Sequence, residues 1–550
     1  MGHRPHKQRA IGICGSSAAQ MEQQRPVDPC REHRCDCRKR KCRMQRVQRS
    51  RFVAQRSKTT RGAMTRRAIA HWRDSNRRFG PQMGLRDILT AVVLVDRARH
   101  FVRTRNGRQL AVIVLVGFLL RLAWGLWAAR KTPEDWQLQG DQYSYWFFGN
   151  EIARGHGYVS YITGKATSYY PIGYPLVLSV VYWLGLHTPL PGNQAQLTAM
   201  LHVLLSTASI VLVYFIARRA FNHRVAIIAA GLVAFYPSLV IGVATYSVET
   251  TFIFSALLCV AILMDHDWST GPMSRKRLLW FGVAMGASLL IRPFSLPVFI
   301  GLGLAALCAG GGWRSALRHL GWASITVLLV LTPLTVRNAF VFGKFIPIST
   351  NLGDGMCMSR FPGSDGGFSW ANHAWCADPG LPEEVRNPAN TKAALHFIVD
   401  HPSEELRQIP KRFVLMMHQD HGTLAEALGN GSHLTLPSGL RRAVDITTDG
   451  YYHFTWIVAL PGLALLLAGW RRNRRAGPRR AIIAITLLGL QVIPLTSWGN
   501  PRFHTPMLPF IAIVAAASIA WVLDRRWPQP AEATAVEHAV LSDQSATSDL

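Results

Sequence analysis

From Leu110 onward the chain repeats one pattern, an apolar run of roughly 15 to 22 residues closed by Arg or Lys or by a Gly/Pro turn, the length that about 30 Å of hydrocarbon asks of a helix. Ten runs predict ten membrane spans: 110–128, 197–217, 225–243, 250–264, 278–291, 294–309, 319–336, 454–470, 481–498 and 506–523. Lys and Arg collect on the cytoplasmic side of such proteins, so the clusters ARRAFNHR and RRNRRAGPRR fix the parity and put both termini inside. An eleventh apolar stretch, Tyr174 to Leu186, would turn ARRAFNHR outward if it crossed; it is expected at or partly in the outer interface. The fold class is an all-α polytopic membrane protein of about 10 to 12 transmembrane helices.

Between the spans, two outward segments are long: 130–196 and 337–453. The second contains TKAALHFIVDHPSEELRQIPKRFVLMM, with Leu395, Ile398 and Val399 at helical spacing. A structureless loop of that length is unusual, so a small folded cap is expected there. The chain then divides into a disordered basic arm (1–85), a transmembrane catalytic module (110–336), the cap (337–453), C-terminal membrane helices (454–523) and a disordered cytoplasmic tail (524–550).

Composition adds a formal charge of +30, which by itself would suggest nucleic acid. Yet residues 1–108 hold 28 of the 61 Lys/Arg and 7 of the 31 Asp/Glu, so most of the excess precedes the first span and the rest lies in loops; no nucleic-acid partner is expected. Five of the nine cysteines also sit in the arm. The spacing of Cys30, Cys35, Cys37 and Cys42 fits no common zinc finger, and no second ligand pair follows. The arm reads as disordered, or as codons upstream of a start at Met44, Met64 or Met83. No cleavable leader pattern precedes Leu110, which makes 110–128 a retained signal anchor. Cys357 and Cys376 lie on the oxidising side and are candidates for a disulfide, whereas Cys259 and Cys308 fall within spans as packing residues.

Candidate chemistry gathers at the outward ends of the spans. Asp141 opens the segment DQYSYWFFGNEIARG, where Asp141, Tyr145, Phe148 and Ile152 share one helical face, an aromatic stripe suited to the membrane surface. An acid there also favours the helix dipole whatever its function. SYYPIGYPL (168–176) is a rigid turn, with Pro171 and Pro175 fixing φ around Gly173. Glu249 opens the span that begins TTFIF. Arg292, Arg337 and Arg502 stand at outward span ends, where positive-inside statistics do not expect cations and where a guanidinium fork suits phosphate. His418, Asp420 and His421 in MHQDHG resemble a ligand cluster, but loop histidines near an acid are common.

Five of these pieces, in order, resemble the GT-C class of polyprenyl-phosphate-sugar glycosyltransferases, in particular bacterial relatives of protein O-mannosyltransferases and the lipid A aminoarabinose transferase. They are Asp141 followed by Tyr145 and Ala153, Gly155, Gly157, Tyr158; the turn Pro171, Gly173, Tyr174, Pro175; Glu249 before a span; Arg337-Asn338 with Phe342, Gly343, Pro347, Ser349, Thr350, Asn351 and Gly353; and Arg502-Phe503 with Pro506 and Pro509. The pattern usually has Pro at Ile172 and Trp at Leu334; neither departure removes a reactive group. The resemblance implies a multi-pass enzyme of a bacterial inner membrane, moving a sugar from a polyprenyl-phosphate donor to an envelope lipid, polysaccharide or protein. It implies Asp141 as general base with inversion at the anomeric carbon, and Glu249 as an orienting acid. Arg337, Arg502 and Arg292 would hold the donor phosphate, and Tyr145, Tyr174 and His504 would position substrate. Family members differ over a divalent metal, so no cofactor is certain. The alternative, a lipid-linked-oligosaccharide flippase or small-molecule transporter, should concentrate ionisable residues at mid-membrane depth, and these spans are nearly free of charge.

Overall fold

The computed structural model describes residues 102–526 apart from 133–137, 139, 190–191, 370–374, 429–434 and 469–475. The expectations for the basic arm, its cysteines and the tail beyond 526 lie outside the described residues. Among the described residues the chain is built from helices, with a single isolated bridge between Val159 and Ala166.

Helix α1 (Arg105–Ala129) starts at Thr104, whose hydroxyl accepts the Gly107 N–H. Two shorter helices, α2 (Gly140–Ala153) and α3 (Gly173–His187), pack against each other in the first loop. At 15 residues α3 reaches about 22 Å, short of the roughly 30 Å hydrocarbon thickness. Asn193 and Gln196 form a capping box at the start of α4 (Gln194–Ala220). The next run is broken: α5 (His223–Ala234) and α6 (Pro237–Ile241), the latter continued by a 3-10 turn to Ala244, meet at 58°. Pro237 has no N–H to continue the helix and pushes Tyr236 into the extended region. Then follow α7 (Glu249–Met264), α8 (Arg275–Ile291), α9 (Leu296–Cys308) and α10 (Gly312–Phe342). The long segment after α10 is itself helical: α11 (Leu352–Cys357), α12 (Glu383–Asp400), α13 (Pro402–Met417) and α14 (Gly422–Leu428). The chain closes with α15 (Ser438–Ala468), α16 (Ala476–Thr496), a 3-10 turn Pro501–Met507, and α17 (Leu508–Arg526).

Every apolar run of the sequence falls on a helix or on the broken pair. Among the described residues five helices, α1, α4, α10, α15 and the unit from Pro501 through α17, are individually long and apolar enough to cross a membrane, and the bent α5–α6 pair passes the same test only when its two halves are taken together. The centre of the bundle is α17, apolar on all sides and buried from Leu508 to Ala517 between α5 and α15. A helix without a polar face must be enclosed, and its alanines let neighbours approach closely. By contrast α10 turns Leu328 and Leu329 outward.

One buried charge interrupts the apolar interior. Arg121 in α1 is fully buried and donates to the carbonyls of Val233 (2.9 Å) and Ala234 (2.7 Å), to Gly117 O and to Ser206 Oγ. The cation thereby caps the free carbonyl end of α5 where the chain breaks. Arg121 is a charge within spans otherwise nearly free of it, and its partners are three main-chain carbonyls and one serine hydroxyl of the fold.

The segment after α10 is held in two ways. A disulfide joins Cys357 to Cys376. Buried Arg360 and Arg412 share Glu405 (2.8 and 2.6 Å) and donate to the carbonyls of Thr496, Ser497 and Leu495, the free C-terminal end of α16.

Candidate active site

The loops that open or close the helices converge on one cluster of charge. Asp141 is the second residue of α2, Glu249 the first of α7, and Arg292 the link between α8 and the turn before α9. Arg502 enters from the 3-10 turn ahead of α17, its N–H donated to the side chain of the capping Asn500. The Arg502 guanidinium is the hub: NH1 donates to Asp141 Oδ2 at 2.8 Å and Nε to Glu249 Oε1 at 2.6 Å. Arg292 NH1 donates to the same Glu249 oxygen at 2.6 Å while its guanidinium lies over the rings of Phe294 and Phe503. Two cations thus grip one oxygen of Glu249, and its other oxygen, Oε2, is buried with no partner among the described residues. A carboxylate left half satisfied in a buried place is costly unless a ligand completes it.

Two members of the cluster escaped the sequence reading. Tyr170 donates its hydroxyl to Asp141 Oδ1 at 2.6 Å. Burial, reinforced by the Asp141 carboxylate, holds the Tyr170 phenol well above its ordinary value, so it stays a donor. It belongs to the SYYPIGYPL turn, and the sequence signalled the turn but not which tyrosine would face the acid. Glu426, on α14, places Oε1 3.6 Å from Arg502 Nε and accepts the Ser247 hydroxyl at 2.8 Å. Burial raises the Glu426 carboxyl above the usual carboxylate range, with Arg502 opposing and Glu249 adding to the shift. No spacing or motif around Glu426 marks it; it reaches the cluster from 177 residues beyond Glu249 only because the segment after α10 folds back. Gln142 fastens that fold-back, donating to Glu426 O (3.0 Å) and accepting the Tyr246 N–H (2.9 Å).

The other sequence-predicted residues lie at graded removes. Tyr145 and Phe148 are buried. Tyr145 packs on Tyr170 (5.2 Å) and edge-on to Tyr174 (5.0 Å), so the aromatic stripe of α2 faces α3 and the tyrosine turn, not the membrane surface. Packing decides this: Gly149 leaves no room beyond Leu178 and Tyr182, which draws α2 onto α3. Tyr174 bonds His202 Nε2 at 3.1 Å in the interior. Gly173 allows that turn to sit on the bundle, since a Cβ there would come within 2.6 Å of the Leu290 carbonyl. Arg337 is not in the cluster: it donates to the carbonyls of Thr167 (2.7 Å) and Tyr158 (3.1 Å) and to Asn338 Oδ1 (2.9 Å). Tyr158 in turn donates to Tyr170 O at 2.7 Å, so Arg337 clamps the loop that carries Tyr170. His504 is buried between Asp420 Oδ1 (2.9 Å) and Met416 O (2.6 Å) and stacks on Tyr452, joining the turn before α17 to the α13–α14 link.

Of the three acids, Asp141 is the most open, its side chain 37% exposed against 9% for Glu249 and 24% for Glu426. The arrangement is an accessible carboxylate held by a phenol and a guanidinium, beside a more buried acid that two arginines keep in place. Such a set can take a proton from an incoming hydroxyl and hold an anion on the same arginine.

Residues 175–336 match the family described as dolichyl-phosphate-mannose-protein mannosyltransferase. No curated protein matches the chain in sequence. Similar solved structures include the oligosaccharyltransferase of Archaeoglobus fulgidus in the apo form (14% identity, TM-score 0.48, over 80% of this chain and 52% of that one). They include AglB from the same organism in complex with an inhibitory peptide and a dolichol-phosphate (16%, 0.46, 76% and 50%), and ArnT from Cupriavidus metallidurans bound to undecaprenyl phosphate (15%, 0.37, 76% and 78%). The chain spans about half the length of the archaeal structures. Residues 175–336 therefore carry the dolichyl-phosphate-mannose-protein mannosyltransferase pattern, within a chain whose described residues are built from helices.

Proposed function

We propose that the protein is a membrane glycosyltransferase that moves one sugar from a polyprenyl-phosphate donor to a hydroxyl of an envelope lipid, glycan or protein at the extracytoplasmic face. The family match over 175–336 supports a lipid-phosphate-linked donor. The observation that carries the reading is the contact of Asp141 with Arg502, which puts a base and an anion-binding guanidinium side by side. A phosphate is a stable leaving anion and needs little acid help, whereas an acceptor hydroxyl must lose its proton. Asp141 takes that proton as the acceptor oxygen bonds to the anomeric carbon; the bond from that carbon to the phosphate oxygen breaks on the opposite side, giving inversion. Arg502, backed by Arg292, receives the departing phosphate. Glu249 keeps both arginines aimed, and Tyr170 orients the base. The donors of Arg337 point at loop carbonyls, which supports a positioning part for it; Tyr145 and Tyr174 pack behind the Tyr170 turn, and His504 ties down the turn that carries Arg502.

The test is mass spectrometry of envelope lipids, polysaccharides and proteins from a strain lacking the gene, searching for one missing sugar. The wild-type chain restores it, and Asp141→Asn, inserted at the same level, lowers transfer by about 100-fold or more. Full restoration by Asp141→Asn would remove Asp141 from the chemistry.

A further inference from the structure

The segment after α10 meets the tyrosine turn at three consecutive residues. Glu383, at the start of α12, accepts the Thr167 hydroxyl at 2.6 Å and the Ser168 N–H at 2.5 Å. Asp354, on α11, accepts the Tyr169 hydroxyl at Oδ2, 2.7 Å away. The next residue, Tyr170, donates to Asp141 instead. Two neighbouring phenols therefore hold two acids, one in the segment after α10 and one in the reaction cluster. Their rings meet edge-on, 5.0 Å apart at 90°, so the tilt of one limits the tilt of the other.

Asp354 is not built to receive a ligand. It is 3% exposed and both its oxygens are taken: Asn390 Nδ2 donates to Oδ1 at 2.7 Å, and Arg386 stands 3.2 Å from Oδ2. The Arg386 guanidinium also lies over the Tyr169 ring at 5.4 Å, so acid, cation and phenol form one closed set. Burial, with the Asp354 carboxylate next, raises the Tyr169 phenol far above its ordinary value, and it remains a donor. The acid is anchored on both sides. The Gly353 N–H donates to Asn387 Oδ1 (2.7 Å); Cys357, one turn further along α11, is joined to Cys376; and the adjoining Ala377 N–H donates to Asn390 Oδ1 (2.6 Å). A buried carboxylate with every partner in place, on a loop closed by a disulfide, is a fixed point. Asp141, at 37% side-chain exposure, is not, and Tyr170 reaches it through one hydrogen bond.

We infer that Asp354 is a positioning residue for transfer: by fixing Tyr169 it sets the plane of Tyr170, and so keeps the Tyr170 hydroxyl on the base Asp141. The inference rests on the role proposed above for Asp141. It gives the segment after α10 a part in the chemistry, because the base is aimed from a residue more than 200 positions away in the chain. Docking of that segment alone accounts for Glu383, whose bonds end on Thr167 and Ser168, but leaves the pairing of Tyr169 with Tyr170 without a use.

The test adds the purified full chain to detergent-solubilised membranes of the deletion strain, which supply the acceptor, with a lipid extract of the same strain as donor. Sugar transferred is followed by mass spectrometry as the extract is diluted. Tyr169→Phe keeps the ring and deletes only the link to Asp354, whereas Asp354→Asn removes the acid's charge. Each is expected to lower the maximal rate per folded chain roughly 3- to 30-fold, with the extract needed for half of that rate unchanged. The double variant should be no slower than the slower single, because both break one link. A purely structural loss would lower the yield of folded chain and leave its maximal rate alone. If Tyr169→Phe transfers at the wild-type rate, if the two losses multiply, or if they appear only as more extract needed for half the rate, the role of Asp354 falls while the Asp141 reading stands. Should Asp354→Asn fail to fold, the maximal rate of Tyr169→Phe decides by itself. A wild-type chain that moves no sugar from the extract overturns both readings together.

Discussion

Asp141 combines exposure with two strong donors, and each partner should have its own signature. Removing the Tyr170 hydroxyl in Tyr170→Phe deletes a hydrogen bond to a charged group, worth about 1.5–3 kcal/mol, so transfer should fall roughly 10- to 100-fold. The check is the transfer rate at saturating donor, with little change in donor affinity if the tyrosine orients the base. Glu426 offers a pH test. Its carboxyl is raised in the folded chain, so the folded state binds the proton more tightly than the unfolded state. That stabilisation is complete below about pH 4, the unfolded glutamate value, and is lost as pH rises through the folded value. Glu426→Gln cannot ionise, so its melting temperature relative to wild type should increase as pH rises. A constant difference across the range would mean that folding leaves the Glu426 carboxyl at its unfolded value. The sequence made Arg292 and Arg502 visible because positive-inside statistics do not expect arginine at the span ends that parity assigns outward, and Asp141 and Glu249 visible as acids that open helices beside them. Tyr170 and Glu426 were hidden, one among several tyrosines and the other in a stretch with no periodic or charge signal.

The elements that position these residues are loops and helix ends under separate restraint. Arg337 ties the end of α10 to the carbonyls of Tyr158 and Thr167, and Tyr158 ties that loop to Tyr170. Arg337→Ala should cost about 1–3 kcal/mol in stability, because it leaves the Thr167 carbonyl without a donor, while the Tyr158 carbonyl keeps the Thr167 N–H. Amide hydrogen exchange should rise across 158–170 in the variant. Unchanged exchange with lost lipid-phosphate binding would instead place the guanidinium on the donor. The sequence identified Arg337 by its neighbours in a family-like run. Its contacts depend on how the loop of 154–172 returns over α10, which no local pattern specifies. The aromatic face of α2 makes the same point: helical spacing gave the stripe, and Gly149 against Leu178 and Tyr182 chose which neighbour it would meet.

At the scale of the whole molecule, the segment after α10 is joined to the bundle through the end of α16. Burial alone would raise the Glu405 carboxyl, but its bonds to Arg412 and Arg360 win and hold it below the usual range. The linked stability is therefore present at neutral pH and lost as pH falls through that depressed value. Glu405→Gln leaves two buried guanidiniums short of their counter-charge and should cost about 3–5 kcal/mol, seen as faster proteolysis between 358 and 437. Intact docking in the variant would show that the His504–Asp420 and Gln142–Glu426 contacts suffice. The sequence by itself determined the helical membrane architecture, since a run of apolar residues in hydrocarbon must satisfy its backbone internally and has no other means than a helix. It also determined which reactive side chains stand at helix ends. Only the tertiary structure decided which of them meet: Asp141, Glu249, Arg292, Glu426 and Arg502 are spread over more than 350 residues, and their 2.6 to 3.6 Å contacts arise from helix packing and chain reversal. Local periodicity reports which face of a helix is buried; the partner across that face is set by shape and close packing, which no stretch of sequence encodes alone.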